Sequence, residues 1–175
     1  MSSPPSSSAP STSTAATPAF VIHDAVNARC RPIPVNPRGG LYLVLTSADV
    51  VVQDFCVQVC GFHYFTFLAI VGHTLPYVWV GNSATQCPGS CAYSFVVPPF
   101  AAGLRKAERP LNVDVGVGGM VSVVAHELAE MASNPLVNAW YAGEDPISPT
   151  EIADLCEGIF AALPLSWQCC VFDML

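Results

Sequence analysis

Charge is scarce in this chain: Asp, Glu, Lys and Arg make up 11% of its 175 residues, with six basic side chains against thirteen acidic, a formal net charge of -7. A nucleic-acid-binding surface needs a basic patch to neutralise phosphates, so that class of partner is excluded. Long apolar runs are missing too. The most apolar stretch, residues 62 to 80, is broken by His63, Thr66, Gly72, His73, Thr74 and Pro76 and is rich in aromatic and β-branched residues, which reads as buried strand and loop rather than a membrane span. No Asn-x-Ser/Thr triplet occurs, since Asn82-Ser83 is followed by Ala84, and this excludes an N-glycan acceptor. The opening MSSPPSSSAPSTSTAATPAF has neither a basic start nor a continuous apolar core, so it does not read as a signal peptide. Residues 1–19 read instead as a disordered Ser/Pro/Thr/Ala-rich tail, too poor in large apolar side chains to offset its ordering entropy.

What the chain does have is hydrophobic residues at 52%, enough for one small domain over residues 36–160, preceded by a lead-in at 20–35 and followed by a divergent C-terminal tail at 161–175. The run Leu41 to Thr46 predicts a strand buried on both faces, and Tyr77 to Gly81 and Tyr93 to Val97 are two more strand candidates, the last closed by Pro98-Pro99. Residues 101–118 carry Gly, Pro, Asn and a cluster of charge, Arg105, Lys106, Glu108, Arg109 and Asp114, and read as a surface loop. A helix over about 119–133 then packs its Val/Leu/Ala face onto the strands, and Asn134-Pro135 stops it. The expected fold is α+β or α/β, a single small domain with a few buried strands and a central zincin-like helix.

That helix carries the chemistry. At about 100° per residue, His126 and Glu130 lie about 40° apart and Glu127 within about 100° of His126, so all three can meet one ion or one water. In the H-E-x-x-H motif two histidines one turn apart bind zinc and the intervening glutamate is the general base. Here Glu130 stands in the place of the second histidine, and a carboxylate also ligates zinc. His126 and Glu130 are therefore candidate ligands and Glu127 the candidate catalytic base, with Glu151 or Asp154 supplying a third ligand. The opposing reading makes the wedge a solvated face opposite Val121, Val124, Leu128 and Ala132, and the downstream acids first-turn residues of a short helix capped by Ser148 or Thr150.

The blocks LYLVLTSADVVVQDFC, CGFHYFTF, TLPYVWVGNSATQCPGSCAYSF, DVGVGGMVSVVAHELAEMASNPLVNAWYAGEDP and TEIADLCEG together resemble the plant EXORDIUM family, also called the phosphate-induced protein family, from about Asn36 to about Phe160. The resemblance implies an extracellular, cell-wall or apoplastic protein linked to brassinosteroid-dependent growth and cell expansion, with a cell-wall component or an extracellular receptor as partner. It implies no settled catalytic activity. Set against that family, both ends of the chain read as truncated. His63 falls in a matching block beside a cysteine, which makes it a further candidate ligand against the alternative of a hydrogen-bonded histidine at a strand edge.

Cys56, Cys60, Cys87 and Cys91 form two Cys-x3-Cys pairs among eight cysteines. In an exported protein these read as disulfides of open connectivity, and the alternative is a structural zinc held by four thiolates. The resemblance gives Cys156 a partner further along the full-length family. Three functions follow: a wall growth protein acting by binding, a zinc-dependent peptidase-like hydrolase, or a non-functional truncated product.

Overall fold

Three short runs of Val, Leu, Tyr and Trp pair into one sheet, and its register decides which side chains meet the helix that carries the acidic motif. The computed structural model describes residues 17–104, 106–145 and 149–156. Strand β1 is Tyr42–Thr46, β2 is Gly61–Phe65 and β3 is Pro76–Gly81, in the order β1-β3-β2. The β1–β3 pair is parallel and the β2–β3 pair antiparallel, so β3 is central and is buried almost throughout. Among the described residues four α-helices accompany the strands: α1 Pro18–Val26, α2 Leu68–Val71, α3 Pro88–Cys91 and α4 Val115–Ser133. The fold is mixed α+β.

The pleat separates two cores. On one face Tyr42, Val44, Tyr77 and Trp79 pack with Ile22 of α1 and with Phe55, which meets Trp79 edge-on at 5.4 Å between ring centroids. This side is braced by two disulfides, Cys56–Cys87 and Cys60–Cys91, so the four thiols are shared between covalent pairs rather than around a structural zinc. The other face is formed by Val78 and Val80, which pack with Met120, Val123, Val124 and Met131 of α4. His63 is paired with Val78 across β2 and β3, which puts its ring on this second face, under α4.

Helix α4 begins at Val115 rather than Gly119, because Asp114 caps it by accepting from the Val117 N–H at 2.9 Å. Its glycines suit close docking. A Cβ at Gly119 would lie 2.8 Å from the Cys91 carbonyl oxygen, and one at Gly61 of β2 would lie 2.6 Å from Val123 Cγ1. The helix is long and apolar enough to cross a membrane by length and composition, yet it packs on β2 and β3 through a face that includes buried glutamates, as a core helix does.

Several sequence expectations change. The Tyr93–Val97 segment is not a strand: it turns between α3 and α4, with the Phe95 ring against Gly118. Strand β1 is buried on one face only, since α4 covers β2 and β3 and leaves Leu43 and Leu45 exposed. The first turn of α4 occupies the end of the predicted loop, and α1 begins inside the span assigned to the N-terminal tail. Residues 1–16 of that tail, Ser148, the side chain of Cys156 and the C-terminal tail lie outside the described residues.

Candidate metal centre

Helix α4 is apolar nearly all round, so periodicity does not fix which side faces inward; the docked partner does. Val121 and Leu128, assigned to the core face, are exposed at 36% and 39%, whereas Glu127 and Glu130 are each 5% exposed. The polar wedge is therefore the buried face, and the solvated-face reading of it is overturned. It is buried because His63 comes up from β2 to meet it: Nδ1 lies 3.5 Å from both Glu127 Oε2 and Glu130 Oε2.

The downstream acids complete the group. A 3-10 turn at Asp154–Cys156 and the residues before it run back along the end of α4. Glu151 Oε1 lies 3.5 Å from His63 Nε2, while Asp154 Oδ1 lies 3.4 Å from His126 Nε2. Asp154 also closes the turn locally, since its Oδ2 accepts from the Glu151 N–H at 2.8 Å, whereas the sequence pattern points to Ser148 or Thr150 for the cap. One residue had no assigned site role from sequence beyond ending the helix. Asn134 is fully buried at the helix terminus; its Nδ2 donates to Glu151 Oε1 at 2.7 Å and its carbonyl oxygen accepts from His63 Nε2 at 3.2 Å. The one signal for it was an amide side chain placed where the chain must leave the helix, directly before Pro135.

Two triads of candidate ligand atoms result, each with its atoms within 4.8 Å of one another. His63, Glu130 and Glu151 form a buried one; His126, Glu130 and Asp154 form one that is partly open, with His126 and Asp154 side chains 28% and 34% exposed. Sequence offered Glu151 or Asp154 as alternatives, and the fold brings in both on different sides of Glu130.

The electrostatics are those of a mutually compensating cluster. Burial alone would lower the His63 imidazole, but the Glu127 and Glu130 carboxylates and the Glu151 charge outweigh it and raise its pKa to about 10. Burial likewise opposes protonation of His126, which is nonetheless raised by Glu130 first and by Glu127 and Asp154. Glu130 would be pushed up by burial, yet the His126 and His63 rings hold it down at about 2. Glu127 is pushed up by burial, helped by the neighbouring Glu130 charge, and Glu151 is raised by burial as well.

The donor set fits a divalent cation on two observations. First, ligands about 2.0–2.1 Å from tetrahedral zinc stand about 3.3–3.4 Å apart. His63 Nδ1 to Glu130 Oε2 at 3.5 Å and His126 Nε2 to Asp154 Oδ1 at 3.4 Å are close to that edge, while His126 Nε2 to Glu130 Oε1 is shorter, at 3.0 Å. Second, the ligand atoms of His126, Glu130 and Asp154, and likewise of His63, Glu130 and Glu151, lie within 4.8 Å of one another, and Glu130 Oε1, ion-paired with His126 Nε2 at 3.0 Å, has a further lone pair. With Nε2 of His63 donating to the Asn134 carbonyl, Nδ1 is the nitrogen left to ligate.

The chain matches the family model described as the phosphate-induced protein 1 conserved region over residues 14–165, which extends beyond both limits set from sequence. It is 69% identical to Protein EXORDIUM-like 3 of Arabidopsis thaliana over 140 residues, covering 80% of this chain and 41% of that protein. It is 60% identical to Protein EXORDIUM-like 5 of the same plant, covering 77% of this chain and 38% of that protein. Against Protein PHOSPHATE-INDUCED 1 of Nicotiana tabacum the identity is 43%, over 71% of this chain and 40% of that protein. The chain thus spans about two fifths of the length of these relatives. No solved structure matches it. The chain belongs to the EXORDIUM, or phosphate-induced protein, family.

Proposed function

We propose that this chain carries the zinc centre of an extracellular, cell-wall-associated protein linked to brassinosteroid-dependent growth and cell expansion, and that the centre is hydrolytic and of peptidase type. The observation that carries the reading is the partly open triad of His126, Glu130 and Asp154, because a catalytic zinc needs three protein ligands and one accessible position. His126 and Glu130 sit one turn apart on a helix, and the third ligand arrives from a downstream turn, the zincin-like arrangement. Zinc held by these residues would supply Lewis acidity toward a carbonyl or a water. Glu127, raised by burial, would serve as the general base there, and the Asn134 side chain holds Glu151 in place behind the site. The two disulfides support an oxidising, exported setting.

A second reading, binding of a cell-wall component or an extracellular receptor without catalysis, is favoured by one detail: Glu127 is turned inward against His63 and is 5% exposed. One variant separates the two. Glu127→Gln keeps the side-chain shape and removes its basicity, so a hydrolase keeps its zinc and loses most turnover in a peptide-library cleavage assay. Equal cleavage by the variant and the parent sinks the hydrolytic mechanism. Absence of zinc from the parent protein by metal analysis sinks both the centre and its chemistry.

A further inference from the structure

The two triads share Glu130, and they share it in a particular way. Oε1 of Glu130 faces His126 at 3.0 Å, while Oε2 faces His63 at 3.5 Å. One carboxylate therefore offers one oxygen to each side. A carboxylate placed so is a bridge, and metal ions bridged in two-metal sites stand about 3.5–4 Å apart. We propose that the centre is dinuclear: an outer divalent ion held by His126, Glu130 and Asp154, an inner one by His63, Glu130 and Glu151, with Glu130 joining them.

This inference rests on the zinc-centre reading and adds a second ion to it. The charge is of the right sign for cations. Glu127, Glu130, Glu151 and Asp154 gather in a cluster whose inner members are each under 10% exposed, and no Lys or Arg pairs with them among the described residues; in the metal-free form the His63 and His126 rings face them instead. The inner site also has its supports in place: Asn134 donates to Glu151 Oε1 and accepts from His63 Nε2, the outer hydrogen bonds that fix ligands to a metal. Burial divides the roles. The inner ion is enclosed and the outer one reaches solvent through His126 and Asp154, so substrate would meet the outer ion first.

The test is metal stoichiometry on the full chain, titrated with zinc after chelation and followed by metal analysis. Two ions per chain are expected for the parent. Glu151→Gln and Asp154→Asn, both near-isosteric, should each retain one ion, from opposite sides of the bridge, while Glu130→Ala should lose the pairing of the two. Manganese(II)-loaded protein gives an independent reading: a pair about 3.5–4 Å apart yields an exchange-coupled electron paramagnetic resonance spectrum, an isolated ion does not. The coupling should vanish in both single-site variants, with circular dichroism used to keep only variants that fold. A parent that binds one ion and shows only the isolated-ion spectrum overturns the dinuclear centre and leaves the zinc centre standing. A parent that binds none overturns both.

Discussion

At the scale of single residues, His63 and Asn134 decide whether the cluster holds its shape. The Asn134 side chain donates to Glu151 and accepts from the Ala139 N–H at 2.6 Å, and its main-chain carbonyl accepts from His63, so one residue ties the end of α4 to both the returning turn and the strand. Asn134→Ala should weaken zinc binding roughly 10–100-fold in a chelator-competition titration. It should also cost about 1–3 kcal/mol in urea unfolding of the metal-free protein, because Glu151 is left buried without its donor. The cluster makes the metal-free form pH-sensitive from both sides. His63 is raised from 6.5 to about 10, so its contribution is complete below pH 6.5 and is lost as the pH rises through about 10. Glu130 is lowered from 4.5 to about 2, so its contribution is complete above pH 4.5 and is lost as the pH falls toward about 2. Glu127 and Glu151, both raised by burial, favour the folded state when protonated and add to the loss on the alkaline side. Metal-free protein should therefore melt highest between about pH 4.5 and 6.5, and zinc, which displaces protons, should move that optimum upward. Melting curves across pH with and without chelator check this; an unchanged optimum would count against ion binding at these groups.

At the scale of elements, the site exists because α4 can lie close on β2 and on the segment around α3. Gly61 and Gly119 are the contacts that permit it. Gly61→Ala would set a methyl group 2.6 Å from Val123 Cγ1 and 2.8 Å from the Trp79 carbonyl oxygen, neither easily moved. Overpacking of this kind costs about 1–3 kcal/mol, and here it should also lift α4 from His63 and reduce zinc retention. Gly39→Ala, with nothing within 4 Å of the added methyl, is the control that should leave both unchanged. Helix α4 and two of the three strands were legible as local patterns. Its inward face was not, because valines, alanines and leucines surround the whole circumference and two buried glutamates contradict any ranking by hydrophobicity. The β2 strand was hidden inside a longer aromatic stretch whose polar punctuation marked only that it was irregular.

At the scale of the whole molecule, two disulfides close the segment between β1 and α3, each joining cysteines 31 residues apart. Reducing both should lower the unfolding free energy, with about 2–5 kcal/mol typical for each bridge lost from a small secreted domain. The same chain made in the cytosol should carry free thiols at Cys56, Cys60, Cys87 and Cys91 and melt lower than a version given a secretory leader. A thiol count and a melting curve on each form make the comparison, and equal melting temperatures would show that the bridges contribute little.

The sequence alone determined two of the three strand-forming runs, the helix with His126, Glu127 and Glu130 on one wedge, and the two Cys-x3-Cys spacings, because each is written in a local period or spacing. Only the tertiary structure decided that His63 lies beneath that wedge, that Cys56 pairs with Cys87 and Cys60 with Cys91, and that Glu151 and Asp154 go to opposite sides of Glu130. The reason is range. His63 and Asn134 are 71 residues apart, and what joins them is the antiparallel register of β2 on β3 together with the docking of a glycine-bearing helix, neither of which leaves a periodic trace in the chain.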